Sequence, residues 1–234
     1  MIELNNDVIK EIANALVTQD SDSRFLYLQS INNESGEGTQ NSWAVQKWDL
    51  RYNNILKVAI EFDLKYIKLG RGKLWEAIAI LGPKDEIYVF FSKHNLKRIM
   101  RKGKNSHYLR LLNMFNEALD ERTPLNQQLA LDICEEDGID KEYWKKQARE
   151  MLQAIETDPS KVIVFGFDIS FVATVKAYVF NTSHQLVWEK DLSELIDVNY
   201  QSVLKDDYVE PAMRESSNIN VTKSGDKRIV KLRD

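Results

Sequence analysis

The sequence predicts an α+β fold: antiparallel sheet made of two three-stranded meanders, able to join into one mixed sheet, covered by several helices. Residues 161–190, KVIVFGFDISFVATVKAYVFNTSHQLVWEK, are the densest β-branched and aromatic stretch and read as three consecutive strands. Residues 64–91 hold three more apolar runs, separated by Gly70-Arg71-Gly72 and by Gly82-Pro83-Lys84-Asp85, connections short enough to demand antiparallel neighbours. Helical periodicity is segregated from these strands instead of alternating with them one for one, which argues against a doubly wound parallel sheet.

Taken in order, residues 7–17 place Val8, Ile9, Ile12, Ala13, Leu16 and Val17 at helical spacing, with Asn5, Asn6 or Asp7 as the cap. Residues 24–31, RFLYLQSI, predict a short strand, and the polar run NNESGEGTQN over 32–41 predicts a mobile loop. From Lys47 onward, Trp48, Tyr52, Ile55, Leu56, Ala59 and Ile60 recur at three- and four-residue steps and predict a second helix that packs on a sheet. The sheet follows as strands 64–69, 74–81 and 86–91.

Ser92 as a cap and Gly103 as a stop bound a helix over 93–102, and Ser106 opens another over 107–119 with Leu109, Leu112, Met114, Phe115 and Leu119 as its apolar stripe. Residues 125–140 have helical composition interrupted by Gly138 and receive no assignment. A helix over 141–156 carries Tyr143, Trp144, Ala148, Met151, Leu152 and Ile155 on one side, and Asp158-Pro159-Ser160 ends it. A short helix is expected near Ser193. Residues 211–234 read as a flexible polar tail in which only 229–232 could add a strand. The expected organisation is one domain over residues 1–210, with a division near 120–140 as the alternative.

Hydrophobic residues at 43% and charged residues at 29% exclude a wholly disordered chain, and a net charge of -4 leaves electrostatic recognition to local clusters. Cys134 is the only cysteine, which excludes an intramolecular disulfide and a zinc site of several thiolates, and fits a reducing compartment. The N-terminal stretch has acids where a secretory signal has bases, and no apolar run is long enough for a membrane span. A cytoplasmic protein without membrane contact is the expectation. Richness in Asn, Lys, Ile and Glu suggests an AT-rich bacterial or phage genome.

The most lopsided feature is charge. Lys93, Lys97, Arg98, Arg101, Lys102, Lys104 and Arg110, together with His94 and His107, have no acid among them. Helical spacing sets Lys93, Lys97 and Arg101 along one surface, with Arg98 and Lys102 beside them, where they could contact phosphates while Tyr108 stacks on a base. The competing expectation is that these cations pair with the acidic segment 117–142. Trp43, close to Trp48 and Tyr52, is a candidate exposed anchor for a partner.

Other patterns are incomplete. Gly70-Arg71-Gly72-Lys73 lacks the spacing of a phosphate loop and reads as a hairpin turn. Gly166-Phe167-Asp168-Ile169-Ser170 resembles the first ribbon of ribonuclease-H-like and actin-like ATPase folds, a resemblance that covers about thirty residues and would make Asp168 a metal ligand. No second carboxylate completes a two-metal site, so the competing expectation has Asp168 facing solvent and Phe167, Ile169 and Phe171 facing the core. Asp63 and Glu76 do not form a nuclease pattern, because Ile78 stands where a lysine is needed. His94, His107 and His184 lack metal-ligand spacing, and acids flank Cys134.

Without a complete acid–base, nucleophile or metal set, the sequence reads as a non-enzymatic intracellular protein that needs no cofactor and binds a macromolecule. A phage- or mobile-element-encoded modulator or inhibitor of host machinery would fit that description. The alternatives are a nucleic-acid-binding protein that uses the basic segment 93–110, and a metal-dependent nuclease or ATPase centred on Asp168. Neither the identity of the partner nor an oligomeric state is written in these residues.

Overall fold

The computed structural model describes residues 1–18, 21–70, 76–101, 107–125, 141–152 and 155–197. Lys102, Lys104, Cys134, the turn residues Arg71, Gly72 and Lys73, and the tail over 211–234 lie outside them. Among the described residues, six α-helices and an open six-stranded sheet make an α+β fold.

Helix α1 (Asn6–Val17) begins where the Asn5 side chain accepts the Asp7 amide at 3.2 Å, and it buries Ile9, Ile12, Ala13 and Leu16. Residues 24–31 do not form the expected strand: 24–30 belong to helix α2 (Ser21–Ser30), and Ile31 lies in the turn that follows. A short apolar run cannot by itself distinguish strand from buried helix. Here Tyr27 turns inward, where its ring lies 5.1 Å from that of Trp43 and its hydroxyl 3.0 Å from Ser42 Oγ, while Phe25 and Leu26 face solvent. Helix α3 (Trp43–Glu61) starts before the expected Lys47 and leads through Asp63, whose φ of 51° is left-handed, into the sheet.

The strands are β1 (Tyr66–Gly70), β2 (Glu76–Leu81), β3 (Glu86–Ser92), β4 (Lys161–Asp168), β5 (Thr174–Phe180) and β6 (Leu186–Asp191), ordered in space as in sequence. Each meander is antiparallel, and the two join through a parallel β3–β4 pair that runs from Glu86↔Lys161 to Ser92↔Phe167. Parallel neighbours need a long crossover. It holds α4 (Lys93–Arg101), α5 (Tyr108–Leu112) and α6 (Lys141–Met151). The helix expected over 107–119 tightens into a 3-10 turn at Asn113–Leu119, and that expected over 141–156 is shorter. Another 3-10 turn, Ser193–Leu195, follows β6.

Successive side chains of a strand point to opposite faces, so Gly166 and Phe167 identify the two layers around the sheet. Phe167 meets Trp48 of α3 edge-on at 5.6 Å. A side chain on Gly166 would meet the Tyr178 ring at 2.7 Å and Leu96 of α4 at 3.5 Å, so the close approach needs glycine. Helices α1 and α3 therefore cover one face, and α4 and α5 the other. Among the described residues, no helix is long and apolar enough to cross a membrane.

Candidate functional site

The carboxyl ends of the parallel strands β3 and β4 meet the amino end of α4. Ser92, the last residue of β3, caps α4 by accepting the Asn95 amide at 3.3 Å. Lys93 follows, and its Nζ lies 3.7 Å from Asp168 Oδ2 at the end of β4. The other carboxylate oxygen of Asp168 accepts the Ser170 amide at 3.1 Å and the Ser170 hydroxyl at 2.8 Å. Partial burial opposes the charge on Asp168, but the Ser170 hydrogen bonds and Lys93 outweigh it and hold the carboxyl below its usual range.

The turn after Asp168 presents an apolar knob. Ile169 and Ala173 are buried on either side of it, whereas Phe171 is 89% and Val172 61% exposed. This corrects the expectation that Phe171 faces the core: β4 ends at Asp168, and the alternation that aims Phe167 inward stops there. Asp168 is also half-buried and engaged, not free in solvent.

On β5, which begins after the knob, Lys176 lies 3.7 Å from both Glu189 and Asp191 across the β5–β6 pair. Burial first, and then Glu189, Asp191 and Asp168, push the Tyr178 hydroxyl up to about 12. These contacts form a cross-strand charge ladder whose members satisfy one another. Among the described residues, no group of three His, Cys, Asp or Glu side chains could hold a metal ion.

The residues singled out in the basic segment do not stay together. On α4, Leu96 and Ile99 are buried, and His94, Lys97 and Arg101 are exposed. Arg98 donates to Asn95 Oδ1 at 2.9 Å, and Lys93 is drawn to Asp168. Tyr108 is 5% exposed, its ring stacked 5.4 Å from Phe91 and 4.7 Å from His107, so it offers no face to a base. Arg110 is equally buried. Trp43 is half-buried against Tyr27, with Lys47 Nζ 5.7 Å from its ring, and is a packed side chain more than a free anchor. Part of the acidic segment does bind lysines: Glu117 holds Lys145, and Asp120 holds Lys141 at 2.9 Å, both partners coming from α6 and not from α4.

The exposure of Phe171 and Val172 emerges only in the fold: the sequence predicts Phe171 in the core and no role for Val172. The available signal was local: two large apolar residues directly after Asp168-Ile169-Ser170, an Asp-x-Ser turn pattern that stops a strand. Among known proteins, residues 2–234 match a family described as of unknown function (DUF5986), and the chain belongs to that family. No curated protein and no solved structure matches it.

Proposed function

We propose that this member of the DUF5986 family is a binding protein that docks on another protein through the Phe171–Val172 knob. The observation that carries this reading is the 89% exposure of Phe171 on a turn held by the two Ser170 hydrogen bonds and pinned by the buried Ile169 and Ala173. A fully buried phenylalanine contributes about 2 kcal/mol or more of transfer free energy, which is forgone in the free chain and recovered when a partner covers the ring. Because the turn is already ordered, docking costs little conformational entropy. Aromatic anchors of this kind dominate interface energetics, and the Lys176–Glu189–Asp191 ladder supplies a polar rim. The activity that follows is modulation of the partner by occupying its surface.

The test compares capture from a cell lysate by the immobilised native chain and by a Phe171→Ala, Val172→Ser double variant of equal melting temperature. Loss of a discrete captured protein in the variant is expected, and unchanged capture would overturn the reading.

A second reading rests on the exposure of His94, Lys97 and Arg101 along α4: a nucleic-acid backbone laid across that helix, with affinity that falls steeply as salt rises. Titration of labelled DNA and RNA at two salt concentrations tests it, and absence of binding at low salt removes it.

A further inference from the structure

We propose that the outer edge of β1 is a strand-addition site for an extended peptide, independent of the Phe171 knob. Among the described residues strand β1 stands first in the sheet and pairs with β2 alone, from Tyr66↔Ile80 to Gly70↔Glu76. Leu81 donates its amide to the Lys65 carbonyl at 2.9 Å. In an antiparallel pair this geometry points the backbone groups of Lys65, Ile67 and Leu69 toward β2 and those of Tyr66, Lys68 and Gly70 away from it. Among the described residues nothing pairs with that outward row.

The two edges of the sheet are treated differently. At β6, the Leu125 amide occupies the Leu186 carbonyl at 2.9 Å, and Glu189, Lys190 and Asp191 place charges along the rest. Charges on an edge are a common defence against unwanted pairing. Strand β1 carries one such charge, Lys68, whose Nζ lies 3.7 Å from Glu76 Oε2 of β2 in an ion pair with both side chains more than half exposed, beside a 41% exposed Tyr66, and the exposed Ile60 lies on the last turn of α3 just before it.

The row of backbone donors and acceptors selects an extended chain as occupant. A second copy paired two-fold about Lys68 would set two lysines directly opposite each other, which is destabilising, whereas one paired about Ile67 would set Lys68 opposite Tyr66 and would reveal itself by a dependence on protein concentration. Tyr66 and Lys68 are two residues apart and share a face. The complementary segment therefore has a carboxylate opposite Lys68 and, two positions away, a β-branched residue opposite Tyr66.

The experiment uses the full chain, labelled with nitrogen-15, and the acetylated peptide Thr-Thr-Val-Thr-Glu-Thr-Thr at millimolar concentration. The amide signals of Tyr66, Lys68 and Gly70 are expected to shift and their hydrogen exchange to slow by about tenfold, with Ile67 and Leu69 unchanged. Lys68→Pro removes an outward N–H without touching the β1–β2 ladder and should abolish the effect. Lys68→Glu should reverse the preference toward a peptide with lysine in place of glutamate. Phe171→Ala should leave peptide binding intact, which separates this site from the knob. The proposal is overturned if β1 signals do not move, if they move equally in Lys68→Pro, or if they follow protein concentration without peptide, the signature of a second copy.

Discussion

Lys93 and Asp168 stand 3.7 Å apart, nitrogen to oxygen, and join the first residue of α4 to the last residue of β4. An ion pair thus links the start of the basic helix to the strand end from which the knob projects. Both side chains are a third or more exposed, so the pair contributes little to stability. Asp168→Asn is expected to change the unfolding free energy by less than about 1 kcal/mol, read by urea denaturation. The carboxyl of Asp168 is held low in the fold, so its small contribution is complete above the usual carboxylate range and is lost as pH falls through the lowered value. Asp168→Asn should flatten that part of the acid limb, and an unchanged limb would contradict the assignment.

Phe167 and Phe171 are four residues apart and opposite in environment. Phe171→Ala should leave the unfolding free energy unchanged within about 0.5 kcal/mol, because its ring is already in water. Phe167→Ala empties a buried space against Trp48 and should cost about 3–5 kcal/mol. Equal effects would show that the turn is packed differently.

Asn116 closes a gap between the central strands. The β4–β5 register, continued past Val164↔Tyr178, would bring Val162 opposite Phe180, but the buried Asn116 amide lies there instead. It accepts the Val162 amide at 2.7 Å and donates to the Phe180 carbonyl at 2.6 Å and the Val162 carbonyl at 3.1 Å. Asn116→Ala leaves these backbone groups buried and unpaired, and should cost about 3–5 kcal/mol by chemical denaturation. A loss below about 1 kcal/mol would mean that the strands can pair directly.

His184 supplies a pH dependence of the opposite origin. Burial, aided by the nearby Arg110 cation, lowers its pKa from 6.5 to about 3. Below pH 6.5 the unfolded chain takes up a proton that the folded chain refuses, so stability falls with pH down to about 3, at most about 1.4 kcal/mol per unit. His184 has a left-handed φ of 61°, which asparagine tolerates. His184→Asn should therefore fold and show a shallower decline between pH 6 and pH 4. The same decline in both proteins would assign the proton elsewhere.

Much of the architecture is legible along the chain because it is set by near neighbours. Six strands, the amphipathic α1 and α3, the Ser92 cap and the tight turns follow from apolar periodicity and turn residues. The basic run 93–110 was equally visible, but its meaning was not. Composition cannot show that α4 keeps His94, Lys97 and Arg101 in solvent while α5 folds Tyr108 and Arg110 inward.

By itself, then, the sequence determined most of the secondary structure, the α+β class and the places where charge accumulates, since these depend on residues a few positions apart. The tertiary structure alone decided that 24–30 is helical, that the meanders join through parallel β3 and β4 and that β1 ends the sheet among the described residues. Each of these depends on which distant segment lies across from a residue. Burial and pairing are properties of that contact, so no local window of the chain contains them.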